Sequence, residues 1–118
     1  MTYIKINENL YPATVSGRVA DKDWDGRASK AITLAMDYAT AIGLFVNGLN
    51  WSIVQQEEVP TFDENGVQTG AEIRETEWDN SDYDVAGDIV DHRNGTITAK
   101  MGKITDGEAL AELMEVLA

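Results

Sequence analysis

The chain contains no cysteine. That excludes disulfides, thiolate zinc sites and cysteine nucleophiles, and it leaves the redox compartment unread. Histidine occurs once, so neither a two-histidine metal site nor a histidine pair can be built within one copy. That residue, His92, lies in His92-Arg93-Asn94-Gly95 between two strand-like runs, which is a hairpin turn signal. A turn tip is solvated and seldom shields chemistry. No Gly-rich phosphate loop occurs, because Gly87, Gly95 and Gly102 are scattered with no Lys-Ser/Thr after a suitable run. Ser16, Ser29, Ser52 and Ser81 lie in no nucleophile-elbow context. Carboxylates are abundant, but nothing marks the raised pKa and sugar cleft that a glycosidase needs. The expectation is a protein without enzymatic activity. Long apolar runs are also missing. The longest, Ala41–Val46, is far short of a membrane span. The first residues lack the basic segment and apolar stretch of a signal peptide, so a cytoplasmic start is expected.

Basic residues are scarce, nine against twenty-one acids, for a net charge of −12. The imbalance is local. Residues 57–91 carry twelve acids and one base, Arg74, a net of −11, so the rest of the chain sums to −1. An acidic surface of that density repels nucleic acid and anionic membrane and favours cations or basic protein partners. The densest basic set is Arg18, Lys22, Arg27 and Lys30. It is interleaved with Asp21, Asp23 and Asp25, which favours local ion pairing over a nucleic-acid footprint.

The remaining composition is ordinary. With 118 residues and an apolar share of 43%, residues 1–118 should form a single domain with a real core. Thr2–Ile6 alternates like a strand. Tyr11–Val19 alternates over a longer one, with Pro12 suggesting an edge position and Gly17 a bulge. Ser29–Met36 gives a third strand. Asp37 is an N-cap candidate for a short helix whose stripe, Tyr38, Ala41, Ile42, Phe45 and Val46, is expected in the core, with Asn47-Gly48 as its stop. Trp51 to Val59 reads as a strand ending before Pro60. Asp63-Glu64-Asn65-Gly66 reads as the tip of a long hairpin, and Ile73–Trp78 as its return. Two further strands flank His92–Gly95. Thr105-x-x-Glu108 is a capping box opening a last helix, with Leu110, Leu113, Met114 and Leu117 on one face. The fold class is therefore α+β: a mainly antiparallel sheet or partial barrel of about seven strands, one short internal helix and one C-terminal helix.

The sharpest local motif is Asp21-Lys-Asp23-Trp-Asp25-Gly26. Its three carboxylates at alternate positions match the first half of a calcium loop. The twelfth position should be a bidentate Glu, but it is Ile32, which cannot ligate. Asp21, Asp23 and Asp25 are the metal candidates, with calcium the only cofactor the sequence suggests. The competing reading is an acidic loop between two strands. Thr61, Asp63, Asn65, Gly66 and Glu72 repeat the spacing more poorly, and such turns also arise for backbone reasons alone. Trp24 and Trp78 sit among acids, at a loop and at a strand end. Either could anchor a protein interface, where Trp is enriched, or cap the edge of the core. Trp51, inside a strand, is expected in the core.

Several segments carry a resemblance. Tyr11-Pro-Ala-Thr-Val-Ser-Gly-Arg18, Asp23-Trp24, Ser29-Lys-Ala-Ile-Thr33, Leu44-Phe-Val46 and Trp51-Ser-Ile53 are similar to small uncharacterised prophage proteins of gut Firmicutes. So are Asp79-Asn-Ser-Asp-Tyr83 and Gly95-Thr-Ile97. The resemblance implies a tail-region structural or assembly protein, virion-associated and acting through protein partners, including a homo-oligomer. It brings no catalytic residues. Two other functions compete. One is an acidic decoy of the DNA backbone, which needs carboxylates in two rows on one face. The other is a calcium-dependent binding module.

Overall fold

The computed structural model describes residues 1–117, apart from the side chains of Asp106, Glu112, Leu113, Glu115, Val116 and Leu117. Seven antiparallel strands form one open sheet: β1 (Thr2–Ile6), β2 (Asn9–Asp21), β3 (Arg27–Ala35), β4 (Ser52–Phe62), β5 (Gln68–Asp79), β6 (Val85–Asp91) and β7 (Thr96–Gly102). Their order is β5-β4-β1-β2-β3-β7-β6. Of the two expected forms, a sheet or a partial barrel, the sheet is the one adopted. Helix α1 (Tyr38–Leu44) lies between β3 and β4, and α2 (Asp106–Leu117) follows β7.

The core follows from period-two alternation. Ile4 stands opposite both Tyr11 and Ile53, Ile32 opposite Val15 and Ala99, and Leu34 opposite Ala13 and Ile97. These residues occupy one face of the sheet. Ile4, Ile6, Ile32, Leu34, Ile97, Ala99 and Met101 are buried there under Ala41, Phe45 and Trp51. The Asp37 side chain accepts from the Thr40 N–H, so the expected N-cap forms.

Four local expectations are corrected. The α1 stripe is narrower than its spacing implies. Ala41 and Phe45 are buried, but Tyr38, Ile42 and Val46 are exposed, because a seven-residue helix turns only one i, i+4 pair onto the sheet. Pro12 sits in an internal strand. It stands opposite Tyr3 on the β1 side, while pairing with β3 begins only at Ala13, so it needs an edge on one side alone. The irregularity in β2 falls between Arg18 and Asp21 rather than at Gly17, whose pairing with Lys30 is regular. Strand β4 runs through Pro60 to Phe62. The Gln56 N–H points toward β1, where it donates to the Met1 carbonyl, and donor direction alternates along a strand. The donor Pro60 lacks would therefore point outward, beyond the reach of β1.

The last helix opens as expected. Thr105 N–H donates to Glu108 Oε1 (2.9 Å), and Glu108 N–H donates to Thr105 Oγ1 (3.2 Å). Its apolar face does not join the core: Leu110 and Met114 are exposed, and the side chains of Leu113 and Leu117 lie outside the described residues. The Cα radius of gyration is 18.4 Å. A compact chain of this length would have a value of about 13–14 Å. Strands β4 and β5 contribute to this extension by continuing past β1 as a two-stranded arm.

Candidate functional site: a projecting acidic arm

Beyond Gln56, β4 has no partner on its β1 side, and residues 57–74 form a hairpin paired only with itself. Asp63 builds the tip. Its Oδ1 accepts from the N–H groups of Asn65 (2.9 Å) and Val67 (3.0 Å), and Gly66 takes the left-handed φ of +78° that the turn requires. The second half-motif seen in the sequence is thus a turn, with Asp63 bonded to the backbone. No residue of the arm is buried. Phe62, Val67 and Ile73 are exposed apolar side chains along it, and Trp78, 49% exposed, stands at its root opposite Ile53.

Register divides the arm's charges between two faces. Glu58, Glu75 and Glu77 share one face, while Glu57, Glu72 and Arg74 share the other. Gln56 donates to Glu75 (3.1 Å), Lys5 pairs with Glu77 (3.2 Å), and Arg74 pairs with Glu72 (3.2 Å). The arm therefore presents carboxylates on both of its faces.

The Asp21 loop forms differently from a calcium site. Lys22–Trp24 is a single 3₁₀ turn capped by Asp21, whose Oδ1 accepts from the Asp23 N–H (3.0 Å). Asp21 is fully buried. Its Oδ2 accepts from Lys100 Nζ (2.8 Å) and Ser29 Oγ (3.0 Å). Asp23 points into solvent with 83% of its side chain exposed, and Asp25 takes the left-handed conformation that ends the turn. The carboxylates of Asp21, Asp23 and Asp25 are not brought together, and among the described residues no group of three acidic or histidine side chains could hold a metal ion. Asp21 is thus held in a buried ion pair, and Asp25 closes the turn. Ile32, at the missing ligand position, is in the core.

The ion pair carries a pH signature. The hydrogen bond from Lys100 is the main cause holding the Asp21 carboxyl down at about 2, against the opposing effect of burial; the bonds from Asp23 N–H and Ser29 add to it. Glu108 is likewise lowered to about 2, chiefly by Arg27. Both pKa values are depressed by folding, so both contribute stability that is present above their unfolded values, near pH 4, and lost as pH falls to about 2. Urea unfolding across pH 5 to 2 should show stability falling steadily. In Asp21→Asn that fall should be shallower from a lower starting stability; an unchanged slope would remove Asp21 from this account.

Trp24 lies over two glycines. Its ring occupies the space that a Cβ on Gly87 or Gly102 would enter, at 2.8 Å from either hypothetical atom. The Arg27 guanidinium sits 4.8 Å from the Trp24 ring centre and grips Glu108 with two bonds of 2.6 and 3.0 Å. Arg27 also donates to the Lys103 carbonyl (2.8 Å), so it ties the loop before α2, and through Glu108 the first turn of α2, back to the sheet. Of the two candidate interface tryptophans, Trp24 is committed to packing, and Trp78 retains free surface on the arm.

Sequence reasoning missed Tyr83. Its ring takes Lys30 at 5.1 Å and Lys103 at 5.0 Å, and its carbonyl accepts from Trp51 Nε1 (3.0 Å). No spacing signal marks such a hub. His92 lies in the β6–β7 turn, with Nε2 2.8 Å from Thr98 Oγ1. One depression lies at the end of the sheet where β2 and β3 pair. Pro12, Thr14, Thr33, Ala35 and Thr96 are among the residues lining it, and no titratable side chain is among them. No helix among the described residues is long and apolar enough to cross a membrane. No known protein family, curated protein or solved structure matches this chain.

Proposed function

We propose that the chain is a non-enzymatic structural or assembly component, of the phage-tail kind its sequence resemblance implies, acting through protein–protein contacts made by the arm. One observation carries this reading: an ordered hairpin that buries none of its residues in the monomer. Ordering a residue costs about 1–2 kcal/mol of backbone entropy, and elsewhere in the sheet core burial offsets that cost. In the arm it does not, so the arm's apolar residues Phe62, Val67 and Ile73 are available for contact with a partner. Its acids favour a partner with basic surface.

Replacing residues 58–73 by Asn-Gly joins Glu57 to Arg74, a directly opposed pair, through a two-residue turn. The shortened chain should melt within a few degrees of the native one. The native chain should copurify with the product of at least one gene adjacent to its own, and the shortened chain should not. A native chain that binds none of those products and stays monomeric would overturn the proposal. A large fall in melting temperature would show that the arm belongs to the fold rather than to a partner.

A further inference from the structure

Strand β5 is a long edge of this sheet, and no proline interrupts it. A sheet edge presents unpaired N–H and C=O groups, and proteins guard such edges with proline, bulges or short strands. The opposite edge, β6, is seven residues long and has a register irregularity between Ala86 and Ile89, in the middle of the strand. The free side of β4 along the arm contains Pro60, which removes a donor. In contrast, β5 runs for twelve exposed residues, Gln68–Asp79, without a proline. Its pairing with β4 is regular from Gly70 to Asp79.

We infer that β5 is an isologous dimerisation edge, pairing antiparallel with β5 of a second copy across a two-fold axis at Ile73. This rests on the reading of the arm as an assembly element and adds self-pairing along β5 to its contact with a basic partner. The argument is charge register. With the axis at Ile73, Glu72 of each copy stands opposite Arg74 of the other, Glu75 opposite Ala71, Glu77 opposite Thr69, and the two Ile73 side chains meet. A two-fold axis keeps each residue on its own face of the sheet, so the axis must fall on a residue. Moving it to Arg74 opposes arginine to arginine, and at Glu72 or Glu75 it opposes glutamates. From Glu72 to Glu75, only the Ile73 axis joins opposite charges without opposing like ones. Arg74, the lone base among residues 57–91, is the residue that defines it. Glu72 and Arg74 already pair within one strand at 3.2 Å, so two copies would bring four alternating charges together on one face. Donor direction alternates along a strand, so Ala71, Ile73 and Glu75 of each copy would bond across the join and continue the sheet through both molecules.

Sedimentation equilibrium of the full chain at about 0.15 M salt, where the Debye length is about 8 Å, tests this. The native chain should show a concentration-dependent dimer. Arg74→Glu should weaken it by roughly tenfold or more, with an unchanged melting temperature, because two opposite-charge pairs become like-charge pairs. The swap Glu72→Arg with Arg74→Glu should restore the native constant. The chain has no cysteine, so Ile73→Cys supplies a sole thiol and should oxidise to a linked dimer, whereas Ala71→Cys, which faces Glu75, should not. A monomer at every concentration, failure of the swap to restore association, or equal cross-linking at both positions would each overturn the inference. An arm-dependent complex with a neighbouring gene product that persists in Arg74→Glu would leave the assembly reading standing while self-pairing is judged by sedimentation alone.

Discussion

A Trp51→Ala chain is expected to lose about 3–5 kcal/mol of stability, a large share of what a domain of this size has. Trp51 is 2% exposed and packs in the main core cluster. It also fastens the loop between β5 and β6. Its Nε1 donates to the Tyr83 carbonyl (3.0 Å), its N–H donates to Ser81 Oγ (3.3 Å), and its carbonyl accepts from Asn80 N–H (2.9 Å). Removing the ring leaves a cavity and an orphaned carbonyl together. Trp51→Phe keeps most of the packing but still strips Tyr83 of its donor, so it should cost less, about 1–3 kcal/mol. Urea unfolding followed by far-ultraviolet circular dichroism gives both values. A loss below about 1 kcal/mol in the alanine variant would mean that the indole is not the pillar of the core.

The second large effect is expected from the smallest side-chain change. Gly102→Ala should destabilise by roughly 1–3 kcal/mol and Gly102→Val by more, because the space is already filled. A Cβ on Gly102 would run into Arg27 Cδ and lie 2.8 Å from Trp24 Cζ3. Arg27 cannot readily withdraw, since it is held by Glu108 and the Lys103 carbonyl. Trp24 is the movable partner. In a double-mutant cycle, Trp24→Ala should therefore relieve part of the Gly102→Ala penalty, giving a coupling of at least about 0.5 kcal/mol. Strict additivity would show that the indole does not define this packing. The same experiment separates two roles for Trp24, since a tryptophan held only for an outside partner would show no coupling to Gly102.

The elements were legible in the sequence where one local signal decided them. Alternation in Thr2–Ile6, the Asp37 cap, the Asp63 turn and the Thr105–Glu108 box each act within a few residues, and each forms as expected. The projecting hairpin was legible too, since charged residues at Glu75 and Glu77 on the face of Ile73 rule out a buried strand there. What long-range pairing decides was not legible. The strand order, with β1 between β2 and β4, has no local sign. Asp21 looked like a metal ligand because its neighbours in sequence are acids, whereas its partner in space is Lys100, far along the chain. Gly87 and Gly102 looked like scattered glycines until β6 and β7 were placed side by side under Trp24. The stripe on α1 misled in the opposite direction, since helical spacing says which residues share a side, not how much of that side a sheet will cover.

The arm also determines how the molecule travels. A 12.9 kDa chain stretched to 69 Å along one axis and only 27 Å along another drags more solvent than a sphere of its mass. On gel filtration against globular standards the monomer should emerge early, near the position of a compact dimer. Elution volume alone would then report an association that had not occurred, and removing the arm would seem to dissolve it. Only a measurement that weighs the particle, such as sedimentation equilibrium or light scattering, separates length from stoichiometry.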